Sequence, residues 1–184
     1  IAEICCGYDY SYGKNRLGST KTLAEFCKDK SIRLNVIPQV NTDGSRTSST
    51  NIRGLIGNGE VNKANELMYK PFSFESEVIH GDKRGRTLGF PTINQAYPKN
   101  LCVAKFGVYD VSVIIDGKKY RGVSNIGIRP TYKTEEPMCE TYIHEFSGDI
   151  YGKTVRIIIN RFIRPEQKFE DADKLVTQIK KDID

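Results

Sequence analysis

A glycine-rich stretch at residues 81–94 carries the residue types that phosphate chemistry requires. It holds three glycines and the cations Lys83, Arg84 and Arg86, and it ends in Pro-Thr-Ile-Asn. Glycines let a backbone turn bring its N–H groups close to an anion, and neighbouring cations strengthen that attraction. Thr92 and Asn94 add two neutral oxygen donors of the kind that Mg²⁺ accepts beside nucleotide phosphates. Composition alone leaves two interpretations open, a phosphate-and-magnesium loop and a solvated basic hairpin.

A single carboxylate could complete such a site. Glu140 lies in Met-Cys-Glu-Thr-Tyr-Ile, a predicted strand in which it has apolar neighbours. Phosphoryl transfer needs a base for the attacking hydroxyl, and a carboxylate on a rigid strand suits that role. The spacing by itself favours the alternative, a glutamate that faces solvent.

The order Gly-x-x-x-Gly-Arg-x-Leu-Gly-Phe-Pro-Thr-x-Asn over residues 81–94 resembles the signature of riboflavin kinases. The resemblance implies an ATP- and Mg²⁺-dependent phosphorylation of the riboflavin ribityl 5′-hydroxyl to give FMN. It makes Glu140 the general base and assigns Mg²⁺ to Thr92 and Asn94. The implied ligand-binding residues are Gly81, Arg86, Thr92, Asn94, Ile143 and Tyr151 for ATP, and Arg164 and Phe169 for the flavin.

The first part of the chain resembles the second half of an FMN adenylyltransferase module, which precedes the kinase in bifunctional riboflavin kinase/FAD synthetases. The resemblance lies in Gly-Tyr-Asp at 7–9, Tyr-Gly-Lys at 12–14 and Ser-Ser-Thr-x-Ile-Arg at 48–53. It implies that Asp9 lies near a nucleotide and that Ser49, Thr50 and Arg53 face its phosphates. From the residues alone, hydroxyls at that point are better explained as helix caps.

The same module carries a His-x-Gly-His motif in its first half, and these 184 residues do not contain it. We therefore expect this chain to make FMN but no FAD by itself. The full-length protein is expected to adenylylate FMN to FAD as well.

Periodicity predicts an α/β segment followed by an all-β segment. Residues 1–70 alternate strands and helices, with a helix over 21–30 after Ser19, a strand over 32–37, and helices from residue 48 and over 61–68. Strands are predicted over 73–80, 106–115, 118–123, 139–146 and 154–162, a loop over 124–131, and an amphipathic helix over 169–183. Five or six antiparallel strands with a terminal helix suggest a small closed barrel.

The resemblance specifies this architecture further. It implies a partial Rossmann-like nucleotidyltransferase segment at residues 1–70. Residues 71–184 are expected to form the riboflavin kinase domain, a six-stranded antiparallel Greek-key barrel with a C-terminal helix.

Charge and cysteine content narrow the remaining classes. The net charge of +5 suits an anionic partner, and the aromatic and basic stretch at 8–16 keeps a nucleic-acid-binding β-barrel as the alternative function. A non-catalytic flavin or nucleotide sensor is a third option. The five cysteines lack C-x-x-C spacing and only two histidines occur, which argues against a disulfide framework and against a zinc site. No apolar run approaches the length of about 18 residues that a membrane-spanning helix needs.

The preferred interpretation is thus a cytoplasmic enzyme acting on riboflavin, ATP and FMN, with no nucleic-acid or membrane partner. The oligomeric state stays open, a monomer included.

Overall fold

The computed structural model describes residues 1–42, 45–81, 85, 88–128, 136–169 and 171–183. The chain divides into two compact units, Ile1–Ser48 and Ser49–Asp184, and each is described by itself. None of the helices in these ranges is long and apolar enough to cross a membrane.

The first unit contains a parallel strand pair joined by a helix. Its elements are β1 (Glu3–Gly7), β2 (Ser11–Tyr12), a 3₁₀ turn (Lys14–Arg16), β3 (Gly18–Ser19), α1 (Thr20–Asp29), β4 (Arg33–Ile37), β5 (Asn41–Thr42) and β6 (Ser45–Arg46). Strands β1 and β4 pair in parallel. Helix α1 begins with the predicted Ser19 cap, whose hydroxyl accepts from the Thr22 N–H while Thr22 Oγ1 accepts from the Ser19 N–H. The predicted α/β character of this part is confirmed.

The second unit is a closed barrel with helices at both ends of its sequence. Its elements are α2 (Ser49–Asn58), α3 (Val61–Glu66), β7 (Ser73–Ile79), β8 (Thr92–Ala96), β9 (Gly107–Ile115), β10 (Lys118–Ile128), β11 (Pro137–Ile143), β12 (Thr154–Arg164) and α4 (Ala172–Ile183). The strand order around the barrel is β10-β11-β8-β7-β12-β9, and every neighbouring pair is antiparallel. The predicted six-stranded barrel with a C-terminal helix is confirmed.

Side chains that point inward from the strands fill the barrel. Val111, Val113, Ile126 and Ile157 are completely buried in its core. The turn between β9 and β10 is formed by Asp116 and Gly117, at φ angles of 49° and 80°. Positive φ at both positions is the geometry that an Asp-Gly pair favours in a tight hairpin, as the sequence predicts.

Two predictions for individual strands were wrong. Residues 124–128 were expected in a loop but continue β10, because Ser124 and Ile126 point into the barrel and are fully buried. Strand β8 was not predicted as a strand at all. It is short and polar, and it exists through its pairing with β11 and β7.

Candidate functional site

A row of aligned residues crosses the outer face of the barrel. Ile79 on β7 pairs with Asn94 on β8, Asn94 with Glu140 on β11, and Glu140 with Asn125 on β10. Asn94, Glu140 and Asn125 are half-buried, whereas chain neighbours such as Thr141 point inward and are fully buried. Side chains that face each other across such a ladder have Cβ atoms about 5 Å apart. The row therefore places amide and carboxylate groups side by side.

Thr92 joins this row through a hydrogen bond. Its hydroxyl donates to Glu140 Oε1 over 2.8 Å. Thr92 lies two residues before Asn94 on β8, so the two side chains project from the same face of the sheet. The structure thus brings together the three side chains predicted to hold the metal and to act as the base. A hydroxyl, an amide and a carboxylate supply hard oxygen donors, the set that Mg²⁺ prefers.

Gly81, at the start of the glycine-rich stretch, packs directly on Asn94. A Cβ atom on residue 81 would overlap the Asn94 amide, so only glycine allows this close approach. The Gly85 carbonyl accepts the N–H groups of Leu88 and Phe90 over 3.1 and 2.9 Å. Arg86, predicted to contact ATP, lies outside the described residues together with Lys83 and Arg84.

A cavity of about 360 Å³ opens beside Thr92. Its wall includes Thr92, Ile143 and Tyr151, three residues predicted to bind ATP, together with apolar groups such as Ile93, Phe146 and Ile150. The Tyr151 ring packs on His80, with ring centroids 3.9 Å apart. A mostly apolar pocket with a few polar groups at one side is the usual form of a small-molecule site.

The two predicted flavin residues lie together at the end of β12. The Arg164 guanidinium is 5.7 Å from the centroid of the Phe169 ring. Arg164 Nε and Nη2 also donate to the Asp182 carboxylate over 3.0 and 2.7 Å. Asp182 belongs to α4, and its side chain is only 3% exposed. Arg164 therefore already ties α4 to the barrel, and its contact with a flavin stays a prediction.

Two residues that sequence reasoning missed adjoin the site. Asn125 lies opposite Glu140, and its Nδ2 donates to Glu166 Oε1 over 3.0 Å. Asn125 was hidden because its segment was interpreted as a loop. Continuing β10 to Ile128 would have placed it beside Glu140; no sequence signal marked Glu166.

The predicted adenylyltransferase residues fall in both units. Asp9 follows β1 in the first unit and is exposed. Ser49, Thr50 and Arg53 lie in the first turns of α2 in the second unit and are also exposed. Their role at a nucleotide stays a prediction.

Sequence comparisons connect both parts of the chain with flavin metabolism. The family model for riboflavin kinase matches residues 68–184, and the model for FAD synthetase matches residues 1–51. Bifunctional riboflavin kinase/FMN adenylyltransferases from Listeria monocytogenes and Bacillus subtilis are each 37% identical to the chain, over 183 and 185 residues. Each match covers 99% of this chain and 58% of the relative, so the chain spans about three fifths of their length.

A solved structure is also similar. The crystal structure described as a macrolide-efflux protein from Streptococcus pneumoniae aligns with a TM-score of 0.85 and 35% identity. The alignment covers 96% of this chain and 57% of the other.

Proposed function

The chain belongs to the riboflavin kinase family, and from that premise we propose that it transfers the γ-phosphoryl group of ATP to the ribityl 5′-hydroxyl of riboflavin, giving FMN and ADP. The observation that carries the proposal is the convergence of Thr92, Asn94 and Glu140 beside a cavity of about 360 Å³. A nucleotide in that cavity would have its phosphates near the oxygen donors of β8.

Glu140 is the proposed general base. Its carboxylate accepts the proton of the 5′-hydroxyl as that oxygen bonds to the γ-phosphorus and the bond to the ADP oxygen breaks. The hydrogen bond from Thr92 restrains the carboxylate in one orientation. A base held in place in this way needs little reorganisation during the reaction.

We propose Mg²⁺ as the metal and Thr92 and Asn94 as the residues that hold it. When bound, Mg²⁺ neutralises charge on the β- and γ-phosphates. Gly81 leaves room for the Asn94 amide and would contact the phosphates, and Arg86 would add a positive charge. Ile143 and Tyr151 would flank the nucleotide in the cavity, and Arg164 with Phe169 would contact the flavin.

For the whole protein we propose a bifunctional enzyme that also adenylylates FMN to FAD. Asp9, Ser49, Thr50 and Arg53 would serve the nucleotide of that second reaction. The match to the FAD synthetase family over residues 1–51 supports this proposal. The nucleic-acid-binding alternative is not favoured, because both family models and both relatives point to small-molecule substrates.

A cytoplasmic location is part of the same proposal. All five cysteines are free thiols, which suits a reducing compartment.

The decisive test is Glu140→Gln in an assay with riboflavin, ATP and MgCl₂, with FMN separated by chromatography. Loss of the base should lower kcat by about 10²- to 10⁴-fold, while the Kd for ATP stays within about twofold. Glu75→Gln is the matched control, because Glu75 lies on β7 in an exposed ion pair with Arg156. Full activity of Glu140→Gln would refute the assignment of the base.

A further inference from the structure

We propose that Asn125 and Glu166 are positioning residues that set the affinity of the site for the flavin. Their hydrogen bond holds residues 164–169, which carry the proposed flavin contacts, against the strand beside Glu140. The inference rests on the proposed kinase function and adds two residues to it.

Two residues of β10 determine the position of the Glu166 side chain. Its Oε1 accepts from Asn125 Nδ2 over 3.0 Å, and the carboxylate lies over Gly127, two residues further along the strand. A Cβ atom on residue 127 would overlap this carboxylate. The missing side chain at Gly127 therefore makes the room that Glu166 occupies.

The same contact fixes the orientation of the Asn125 amide. A carboxylate only accepts hydrogen bonds, so the NH₂ group of Asn125 must face Glu166. This leaves Asn125 Oδ1 buried, with no hydrogen-bond partner within the described ranges of the chain. A buried acceptor without a donor costs free energy and calls for an explanation. A polyol bound beside Glu140 would supply the missing donor.

The segment that Glu166 holds has no regular secondary structure. Pro165–Phe169 connects β12 to the residues before α4. Its start is fixed through Arg164 and Asp182, and Phe169 packs on Arg164. The bond between Glu166 and Asn125 joins this segment to the row containing Glu140. Breaking that bond should loosen the flavin side of the site and leave the nucleotide cavity in place.

The first experiment measures Glu166→Ala for both substrates. We expect the KM for riboflavin, and the Kd from flavin fluorescence titration, to rise about tenfold, the effect of losing one hydrogen bond to a charged group. The KM for ATP should stay within about twofold. Glu166→Gln retains an oxygen that accepts from Asn125, so its constants should remain close to those of the parent. Glu166 is exposed, so these variants should fold.

The second experiment reverses the polarity of the bond. Asn125→Asp places two carboxylates together and should weaken flavin binding at least as much as Glu166→Ala. Adding Glu166→Gln gives an amide that donates to the new carboxylate, so the double variant should recover most of the flavin affinity. Its kcat is compared separately, because the added charge lies beside Glu140.

Asn160→Ala is the matched control, because it removes a similar hydrogen bond away from the site. Asn160 Nδ2 donates to Ser112 on β9, and Ser112 lies four residues further along β9 than the residue that pairs with Asn125. Its constants for both substrates should be unchanged. Equal changes in the riboflavin and ATP constants of Glu166→Ala, or no recovery in the double variant, would overturn the inference while FMN formation by the parent stands. A parent chain that forms no FMN would overturn the proposed function instead.

Discussion

At the scale of single residues, a substitution at Gly81 tests whether the position of the Asn94 side chain matters for activity. Gly81→Ala introduces a methyl group where the Asn94 amide lies, so Asn94 has to move away from Thr92 and Glu140. We expect kcat/KM for FMN formation to fall at least about tenfold, since displaced groups lose near-attack geometry. Gly54→Ala serves as control, because a Cβ at that helical position meets open space. Unchanged kinetics in Gly81→Ala would contradict the role of Asn94.

Thr92 offers a second test at this scale. Thr92→Val keeps the shape of the side chain but removes the hydroxyl that donates to Glu140. We expect kcat to fall about 10²-fold and the Mg²⁺ concentration for half-maximal activity to rise, because one proposed oxygen ligand is lost. Thr92→Ser keeps the hydroxyl and should retain most activity. A normal Mg²⁺ requirement in Thr92→Val would remove Thr92 from the metal site.

Individual site residues were easiest to select where several motif residues lie close together in the sequence. Thr92, Asn94 and Glu140 were selected from their chemistry and a family signature; they lie on two paired strands, and their roles stay predictions. Asn125 and Glu166 escaped, because their proximity to Glu140 depends on strand register and on the course of an irregular segment. Neither property is visible in the types of neighbouring residues.

At the scale of elements, a nearly buried ion pair helps to attach α4 to the barrel. The Arg164 and Asp182 side chains are 18% and 3% exposed. Asp182→Ala leaves the guanidinium without its partner and should lower the free energy of unfolding by about 3 kcal/mol. Glu75→Ala breaks an exposed pair with Arg156 and should cost less than about 1 kcal/mol. Urea denaturation measures the free energy of unfolding of both variants. Equal losses would contradict the expectation that the buried pair contributes more to stability than the exposed pair.

Helix α2 contains a position at which glycine is unfavourable. Gly54 lies within Ser49–Asn58, and a methyl group there meets no atom within 4 Å. Gly54→Ala should raise the free energy of unfolding by about 0.5–1 kcal/mol, because alanine loses less backbone entropy in a helix. A lower melting temperature than that of the parent would contradict this expectation.

Elements with a strong internal pattern were predictable and the others were not. Helix α1 has a capping residue and an apolar face, and the β9–β10 hairpin has an Asp-Gly turn. Strand β8 has neither signal, since its five residues alternate weakly and include a buried Gln95. Gln95 Nε2 donates to the Ser76 and Val155 carbonyls, partners distant in sequence that no local pattern reveals.

At the scale of the whole molecule, alkaline pH should destabilise the fold through buried tyrosines. Burial raises the pKa of Tyr109 to about 12, and burial also raises the pKa of Tyr97. An unfolded tyrosine titrates near pH 10. Their stabilising contribution is therefore complete below about pH 10. Above that pH the unfolded state loses protons that the folded state keeps, and the contribution disappears as pH rises.

For Tyr109 alone the loss amounts to about 2 kcal/mol between about pH 10 and pH 12. Tyr109→Phe removes the titrating group, so its unfolding free energy should depend less steeply on pH in this window. Urea denaturation at several pH values measures the slopes. Identical slopes for parent and variant would contradict the raised pKa of Tyr109.

The products distinguish the two reactions proposed for the whole protein. With riboflavin, ATP and Mg²⁺, this chain should accumulate FMN without FAD, because its 184 residues do not contain the His-x-Gly-His motif of the adenylyltransferase module. Chromatography with both standards measures the ratio. Formation of FAD at a rate comparable to that of FMN would contradict the expectation that this chain makes FMN alone.

Closure of the barrel fixes the strand register that aligns the residues of the site. Each of the six strands is bonded on both sides, so no strand can slip by one residue unless its neighbours on both sides also shift. A slip that would turn Glu140 inward is thus opposed by the entire ring of hydrogen bonds. Insertions should be tolerated in the connecting loops while the alignment of Asn94 with Glu140 survives unchanged.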